Sequence, residues 1–357
     1  MQMKKIGLVL LLLTAAILLH GYDVMILGDT HYDTPETRLK DEKLTENQEK
    51  ARTRNFERWE KNIPAMLDAA GKRSAQNVAF VVQLGDIIQG GCGSEELQTK
   101  AFQEVLAILK KQFSIPLYVV KGNHDIHGPG AEEAFAKVML PYLNREFGQK
   151  NAVENSSHYA VMHDKDLFLY FDSMKPDADF VEKALEEHKD ARYVFFLTHL
   201  PVIPSGEGRK PDWIVYGLRS DNAPERQRLL KLLARHNAIV LCGHIHRTVL
   251  SRYRSEDGTI TQLASFGMPV SLDAEYKEVK GTGGDYFAVE DIKDAMKTKR
   301  VKTTLNDFIG KITEYDYYLP GAGYNVLRID DDGVSCDLYF GADDHPSKTL
   351  KLSPADR

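Results

Sequence analysis

A chain of 357 residues with 43% apolar and 27% charged residues has room for a sizeable core, as one large domain or two small ones. Its formal net charge of -6 argues against attachment to nucleic acid or anionic membrane by general electrostatics, so any phosphate must be attracted locally. The only cysteines are Cys92, Cys242 and Cys336, with no C-x-x-C pair, which excludes a disulfide framework and a zinc ribbon.

At the N-terminus, Lys4 and Lys5 precede an apolar stretch from Ile6 to Leu19, followed at once by His20, Gly21 and a further apolar run. This is a signal-peptide pattern. The stretch is short for a spanning helix, which needs about 20 apolar residues. Residues 1–21 are therefore expected to direct export, to the periplasm or the exterior, and to be cleaved. An uncleaved anchor is the alternative, and a buried core segment a third reading. Small residues at Ala15, Ala16 and Gly21 mark no clean cleavage point, and no Cys follows the run, so a lipoprotein is not expected.

Five short apolar runs then end in loops that carry hard-metal donors. They are Val24 to Leu27 before Asp29-Thr30-His31; Phe80 to Val82 before Gly85-Asp86; Leu117 to Val120 before Gly122-Asn123-His124-Asp125; Val194 to Leu197 before His199; and Ala238 to Leu241 before Gly243-His244-Ile245-His246. Runs of this kind read as strands buried on both faces, with function gathered at their ends. Between the first three runs, Phe56, Trp59, Ile63, Met66, Leu67 and Ala70 fall at helical spacing, with Pro64 kinking or restarting the helix. Phe102, Val105, Leu106, Leu109 and Phe113 mark a second helix, and 131–147 a third. Strand-helix-strand alternation favours parallel pairing.

In the second half, Tyr159 to Met162 and Leu167 to Phe171 read as strands, and Phe180 to Leu185 as a helix face. Pro224 is placed to open the helix carrying Leu229, Leu230, Leu232 and Leu233. Hairpins are expected around Glu256-Asp257-Gly258 and Asp331-Asp332-Gly333. Residues 277–318 are harder to read, as a surface insertion or as a lid, and the polar tail 346–357 is expected to fray. Residues 22–345 would then form the main domain.

In an extended segment residues i and i+2 point the same way, so Asp29 with His31, and His244 with His246, can each address one region. With Asp86, Asn123 and His199 they make seven oxygen or nitrogen donors, too many for one ion and suited to two that share a bridging ligand. The absence of thiolate favours manganese, iron, zinc or a similar ion over copper(I) or an iron-sulfur cluster. Two carboxylates among neutral donors leave two divalent ions with net positive charge, which attracts phosphate and acidifies bound water.

In that order these blocks resemble the calcineurin-like metallophosphoesterase family. The resemblance implies an α/β fold of two packed mixed sheets flanked by helices, a four-layer arrangement, with a dimetal site at the strand ends. It implies that Asp29, His31 and His246 hold one ion, that Asn123, His199 and His244 hold the other, and that Asp86 bridges them. His124 would stabilise or protonate the departing oxygen, with Asp125 orienting it. His127 is read as a surface neighbour able to touch substrate, and the remaining histidines as structural or solvated.

Two departures narrow the branch. Gly85-Asp86 continues as Ile87-Ile88-Gln89-Gly90-Gly91 rather than Gly-Asp-x-x-Asp-Arg-Gly, which argues against the protein serine/threonine phosphatases. Gln89 stands where purple acid phosphatases place a tyrosine iron ligand. The expectation is an exported enzyme hydrolysing a small-molecule phosphomonoester or phosphodiester with two transition-metal ions, of Mn, Fe or Zn type. A nucleotide pyrophosphatase or nucleotidase is the nearest rival, and a non-catalytic metal-binding scaffold the alternative of another class.

Overall fold

The computed structural model describes residues 21–40, 43–148, 157–204, 213–217, 220–265, 267, 278–281, 297, 305, 308, 310–318 and 322–353. All five apolar runs are strands: β1 (Tyr22–Leu27), β2 (Val78–Gln83), β3 (Leu117–Val119), β6 (Val194–Thr198) and β7 (Ile239–Cys242). Between the third and fourth lie β4 (Tyr159–His163) and β5 (Asp166–Phe171). After them come β8 (Thr248–Ser255), β9 (Gly258–Ala264), β10 (Glu278–Gly281), β11 (Ile312–Tyr318), β12 (Gly323–Ile329), β13 (Val334–Phe340) and β14 (Lys348–Lys351).

Among the described residues the expected alternation is met by six helices: α1 (Glu46–Lys61), α2 (Ile63–Ser74), α3 (Glu95–Gln112), α4 (Ala131–Phe147), α5 (Ala178–Glu187) and α6 (Ala223–Arg235). Asn62 divides α1 from α2, with Pro64 in the first turn of α2, where its missing N–H costs nothing. Pro224 occupies the equivalent place in α6.

One sheet has the order β14-β13-β12-β1-β2-β3 and the other β10-β11-β8-β9-β7-β6-β5-β4. Within the first, β1, β2 and β3 are parallel, while β12 pairs antiparallel with β1. In the second, β5, β6, β7 and β9 are parallel, and β4 and β8 add antiparallel partners. Helical crossovers join β1 to β2, β2 to β3, β5 to β6 and β6 to β7, as parallel pairing requires, whereas β9 comes to lie beside β7 by way of β8 and a hairpin.

The two-residue period of the strands decides which core each side chain enters. Phe168 and Tyr170 of β5 join β1 and β2 residues such as Val24 and Phe80 in a core between the sheets, where the Phe80 and Phe168 rings meet edge to face at 5.1 Å. Leu167, Leu169 and Phe171, one residue out of step, pack with Val181 and Leu185 of α5 and Leu229 and Leu233 of α6. Helices α1 to α4 cover the outer face of the first sheet, with Ile63, Met66, Phe102 and Leu109 buried. The layers are therefore helix, sheet, sheet and helix, the α/β architecture that the resemblance implied.

Two expectations from sequence differ from the structure. The tail does not fray at once, because β14 pairs with β13 and buries Leu350 and Leu352. Its alternating pattern was too short to stand out from a polar background. The ends of 277–318 are strands, β10 on β11 and β11 on β8, extending the second sheet. Leu305 and Phe308, between those ends, are buried in the helix-side core. Most of the interior of this segment, where a lid would lie, falls outside the described residues, as do residues 1–20 with the expected signal or anchor. Among the described residues, no helix is long and apolar enough to cross a membrane.

Candidate metal centre

Asp29 and His31 follow β1, Asp86 follows β2, Asn123 to Asp125 follow β3, His199 follows β6, and His244 and His246 follow β7. The pairs do not converge by strand alternation, contrary to the expectation from i, i+2 spacing. His31, Asp86, His244 and His246 have φ of 46°, 52°, 68° and 57°, so the chain curls left-handed as soon as each strand ends. Such a conformation costs a non-glycine residue about 1–3 kcal/mol and persists where its surroundings hold it.

Those surroundings are built mostly from backbone. The buried Asp125 carboxylate accepts hydrogen bonds from the amides of Asp86 (3.0 Å), Ile87 (2.8 Å) and Ile88 (3.3 Å), and from Gly122 (2.8 Å). It ties the β2 loop to the β3 loop. Asp125 was expected to orient the His124 ring, but that ring is held elsewhere: His124 Nδ1 donates to the Gln89 carbonyl at 2.6 Å. The reason is geometric, since a carboxylate already engaged by four amides has no edge left for the imidazole. Burial, with Asp86 nearby, pushes the Asp125 carboxyl up to about 7, while the amides pull it the other way.

Further supports come from residues buried for their polarity. Gln83, at the end of β2, donates to the Gly85 carbonyl (2.7 Å) and accepts from the Gly85 amide (2.9 Å), fixing the turn before Asp86. Trp59 of α1 donates from Nε1 to the Thr30 and His31 carbonyls at 3.0 and 2.9 Å. Two glycines are required by close approach. A Cβ on Gly122 would lie 2.2 Å from Asp86 Oδ1, and one on Gly243 would lie 2.4 Å from Asp29 Oδ1.

The donor atoms gather in two groups. In one, His31 Nε2 lies 2.9 Å from His246 Nε2, which lies 3.0 Å from Asp29 Oδ2. In the other, His199 Nε2 lies 3.0 Å from Asn123 Oδ1 and 3.2 Å from His244 Nδ1. Asp86 Oδ2 faces both, 3.6 Å from His31 Nε2 and 3.3 Å from His199 Nε2. Its other oxygen, Oδ1, accepts from the His124 amide at 2.7 Å and so fixes the carboxylate plane.

These spacings fit a metal. Bonds of about 2.0–2.2 Å to nitrogen and oxygen place neighbouring ligands about 2.9–3.5 Å apart in tetrahedral or octahedral shells. The observed distances fall in or next to that range, and the sets Asp29, His31, His246 and Asp86, His199, His244 each bring one donor atom per residue within 4.8 Å of the others. His199 is prepared for the task, because Nδ1 donates to the Leu84 carbonyl at 2.9 Å and leaves Nε2 as the ligand atom.

Charge agrees with this. Burial holds His31 neutral, well below the ordinary imidazole range. For His199 burial acts in the same direction, but the Asp86 and Asp29 carboxylates outweigh it and push the ring up to about 9. Burial would raise Asp86, yet the surrounding imidazoles hold it ionised. A buried pair of carboxylates therefore draws positive charge to Nε2 of His199, where a metal ion competes with the proton.

His124 lies beside both groups: its ring meets that of His31 edge to face at 4.6 Å, and with His31 and Asp86 it too brings one donor atom per residue within 4.8 Å. With Nδ1 committed to Gln89, Nε2 is the nitrogen left for proton exchange. His127 is exposed, its ring centroid 5.9 Å from that of His124. Cys92 and Cys242 are buried, and the Cys242 thiol is pushed up by burial, as suits a core residue. Sequence reasoning missed Gln83, whose signal was a glutamine closing an apolar strand. It also missed the Gln89 carbonyl, which a sequence cannot mark, and Trp213, whose ring stacks on His244 at 4.6 Å.

Replacing Asp125 by alanine strands four buried amides, so Asp125→Ala is expected to lower unfolding free energy by about 2–4 kcal/mol and metal affinity about 10–100-fold. Denaturant titration and metal-binding calorimetry check this. Unchanged values in both would mean that the two loops are held in some other way.

Comparison with known proteins accords with this arrangement. Residues 22–248 match the family described as calcineurin-like phosphoesterase. A relative named as a probable glycerophosphodiester phosphodiesterase, from Arcobacter nitrofigilis, is 27% identical over 182 residues, which cover 47% of this chain and 56% of the relative. The chain thus spans little more than half the length of that curated relative. Among solved structures, a purple acid phosphatase from yellow lupin (Lupinus luteus) seeds superposes with a TM-score of 0.57 at 12% identity, over 94% of this chain and 54% of that one. A dimetal phosphatase from Danio rerio gives 0.53 at 12% identity, over 93% and 98%. At such identities the structural likeness is one of fold alone. The family match spans all five donor loops up to His246, and this chain belongs to the calcineurin-like phosphoesterase family.

Proposed function

We propose that the protein hydrolyses a phosphoester of a small molecule, a diester or a monoester, at a centre of two transition-metal ions bridged by Asp86. The observation that carries this reading is the position of Asp86 Oδ2, within 3.6 Å of a ligand nitrogen of each donor group, with Oδ1 held by a backbone amide. Asp29, His31 and His246 would hold one ion, and Asn123, His199 and His244 the other. When bound, such a pair supplies Lewis acidity that activates water and offsets charge on the phosphoryl oxygens. Its metal identity is open among manganese, iron and zinc, since the donors are imidazole, carboxylate and amide oxygen.

The chain's own contribution is orientation and proton management. Asp125 and Gln83 keep the Asp86 turn in place, so the bridging oxygen does not swing as charge builds on the substrate. His124 Nε2 is suited to give a proton to the departing oxygen or to hydrogen-bond it, because Gln89 fixes the ring. Similarity to the Arcobacter protein, a probable glycerophosphodiester phosphodiesterase, favours a diester among the candidates. The Lys4-Lys5 segment and its apolar run support a site of action in the periplasm or outside the cell.

Two variants separate the roles. Asp86→Ala is expected to lose metal and turnover together, measured by elemental analysis and by hydrolysis of an aryl phosphate diester, and turnover equal to wild type would remove the bridging role. His124→Ala is expected to keep its metal and lose about two to four orders of magnitude in turnover. Loss of metal from that protein would make His124 a ligand instead.

A further inference from the structure

Among the described residues, the large apolar side chains left exposed are Leu39, Ile108, Met162 and Trp213. Trp213 is 40% exposed, and its indole lies on the imidazole of His244, with ring centroids 4.6 Å apart and planes 27° from parallel. Its neighbours in sequence are anchored. Ile214 and Val215 are buried in the helix-side core, and the Val215 amide donates to the Pro201 carbonyl at 2.9 Å, two residues beyond His199. The indole is thus fixed against one side of the donor group formed by Asn123, His199 and His244, with much of its surface facing solvent.

Metal ligation does not need an indole there. The indole keeps much of its surface in solvent at the rim of a polar, buried cluster while lying on His244, so a flat ring stands ready there for a second one. We propose that Trp213 is a specificity-determining platform on which a planar aromatic substituent of the phosphoester stacks while its phosphoryl group addresses the donors. This rests on the phosphoesterase reading above and names the substrate class for that site. Stacking suits the geometry because a flat ring is already held nearly parallel to the imidazole, and an aromatic partner continues the stack or meets the exposed edge. A cationic substituent is disfavoured at this place, since it would stand beside the same ions that attract the phosphate. An aryl ester and a nucleotide share the required ring.

The test uses metal-loaded protein and three probes that contain no P–O–C ester bond: methylphosphonate, phenylphosphonate and the adenosine 5′-phosphate isostere in which CH2 replaces the 5′ ester oxygen. The chain has two tryptophans, and Trp59 is buried, so the fluorescence of wild type minus that of Trp213→Phe isolates Trp213. At least one aromatic probe is expected to quench or shift this component and to bind about tenfold tighter than methylphosphonate, an advantage that Trp213→Ala removes. Whichever aromatic probe gains more tells a nucleobase from a simple aryl group. Equal binding of all three, with Trp213 fluorescence unmoved, overturns the platform and leaves the phosphoesterase reading intact. Binding of none overturns both.

In parallel, the ratio of kcat/KM for a phenyl diester over a glyceryl diester is expected to fall about tenfold in Trp213→Ala. A ratio equal to wild type contradicts the proposal. Metal content measured on the same sample separates a lost platform from a lost ligand, since a disturbed His244 would reduce metal and lower both substrates together.

Discussion

The site depends on one buried carboxylate held at both of its oxygens. Asp86 sits at φ 52° on a turn that its own residue type does not favour, and its Oδ1 is pinned by the His124 amide while Oδ2 points between two groups of imidazoles. The turn stays curled because Asp125, reaching across from the next strand end, accepts hydrogen bonds from three consecutive amides of that loop. A carboxylate of the β3 loop thus sets the backbone of the β2 loop, and that backbone aims the oxygen facing both sheets. The strain of four left-handed non-glycine residues is offset locally by hydrogen bonds to buried amides and carbonyls, as expected where geometry serves function rather than stability.

The rest of the fold brings two sheets together at this edge. β1, β2 and β3 deliver four of the seven donors and β6 and β7 the other three, and the core between the sheets, including Phe80 and Phe168, fixes their spacing. His199 links the two sets directly, with Nδ1 on the Leu84 carbonyl beside β2 and Nε2 toward Asp86. Electrostatics and packing therefore act in the same direction. Apolar contact seats the sheets, and buried carboxylates in the seam create a demand for positive charge.

Much of this was legible in the sequence because strand cores and helix faces are written in local periodicity. The runs ending at Leu27, Val82, Val120, Leu197 and Leu241 form strands, and Pro64 and Pro224 stand in the first turns of helices. All the expected donors also meet at one place, since each ends a strand of a parallel set. What was not legible depends on backbone conformation and long-range contact. The spacing of His244 and His246 suggested alternation, whereas both are left-handed. Asp125 reads as a partner for its neighbour, whereas its bonds go to amides 37 to 39 residues away and to Gly122. Trp213 sits in a stretch with no periodicity, so only the fold reveals that it lies on His244.

The account stands on two ions sharing Asp86, and anomalous-scattering diffraction from crystals grown with manganese tests it most directly. It predicts two peaks a few ångströms apart, one among Asp29, His31 and His246 and one among Asn123, His199 and His244, with Asp86 Oδ2 between them. A single peak at full occupancy, or peaks that leave Asp86 without a metal, would contradict it.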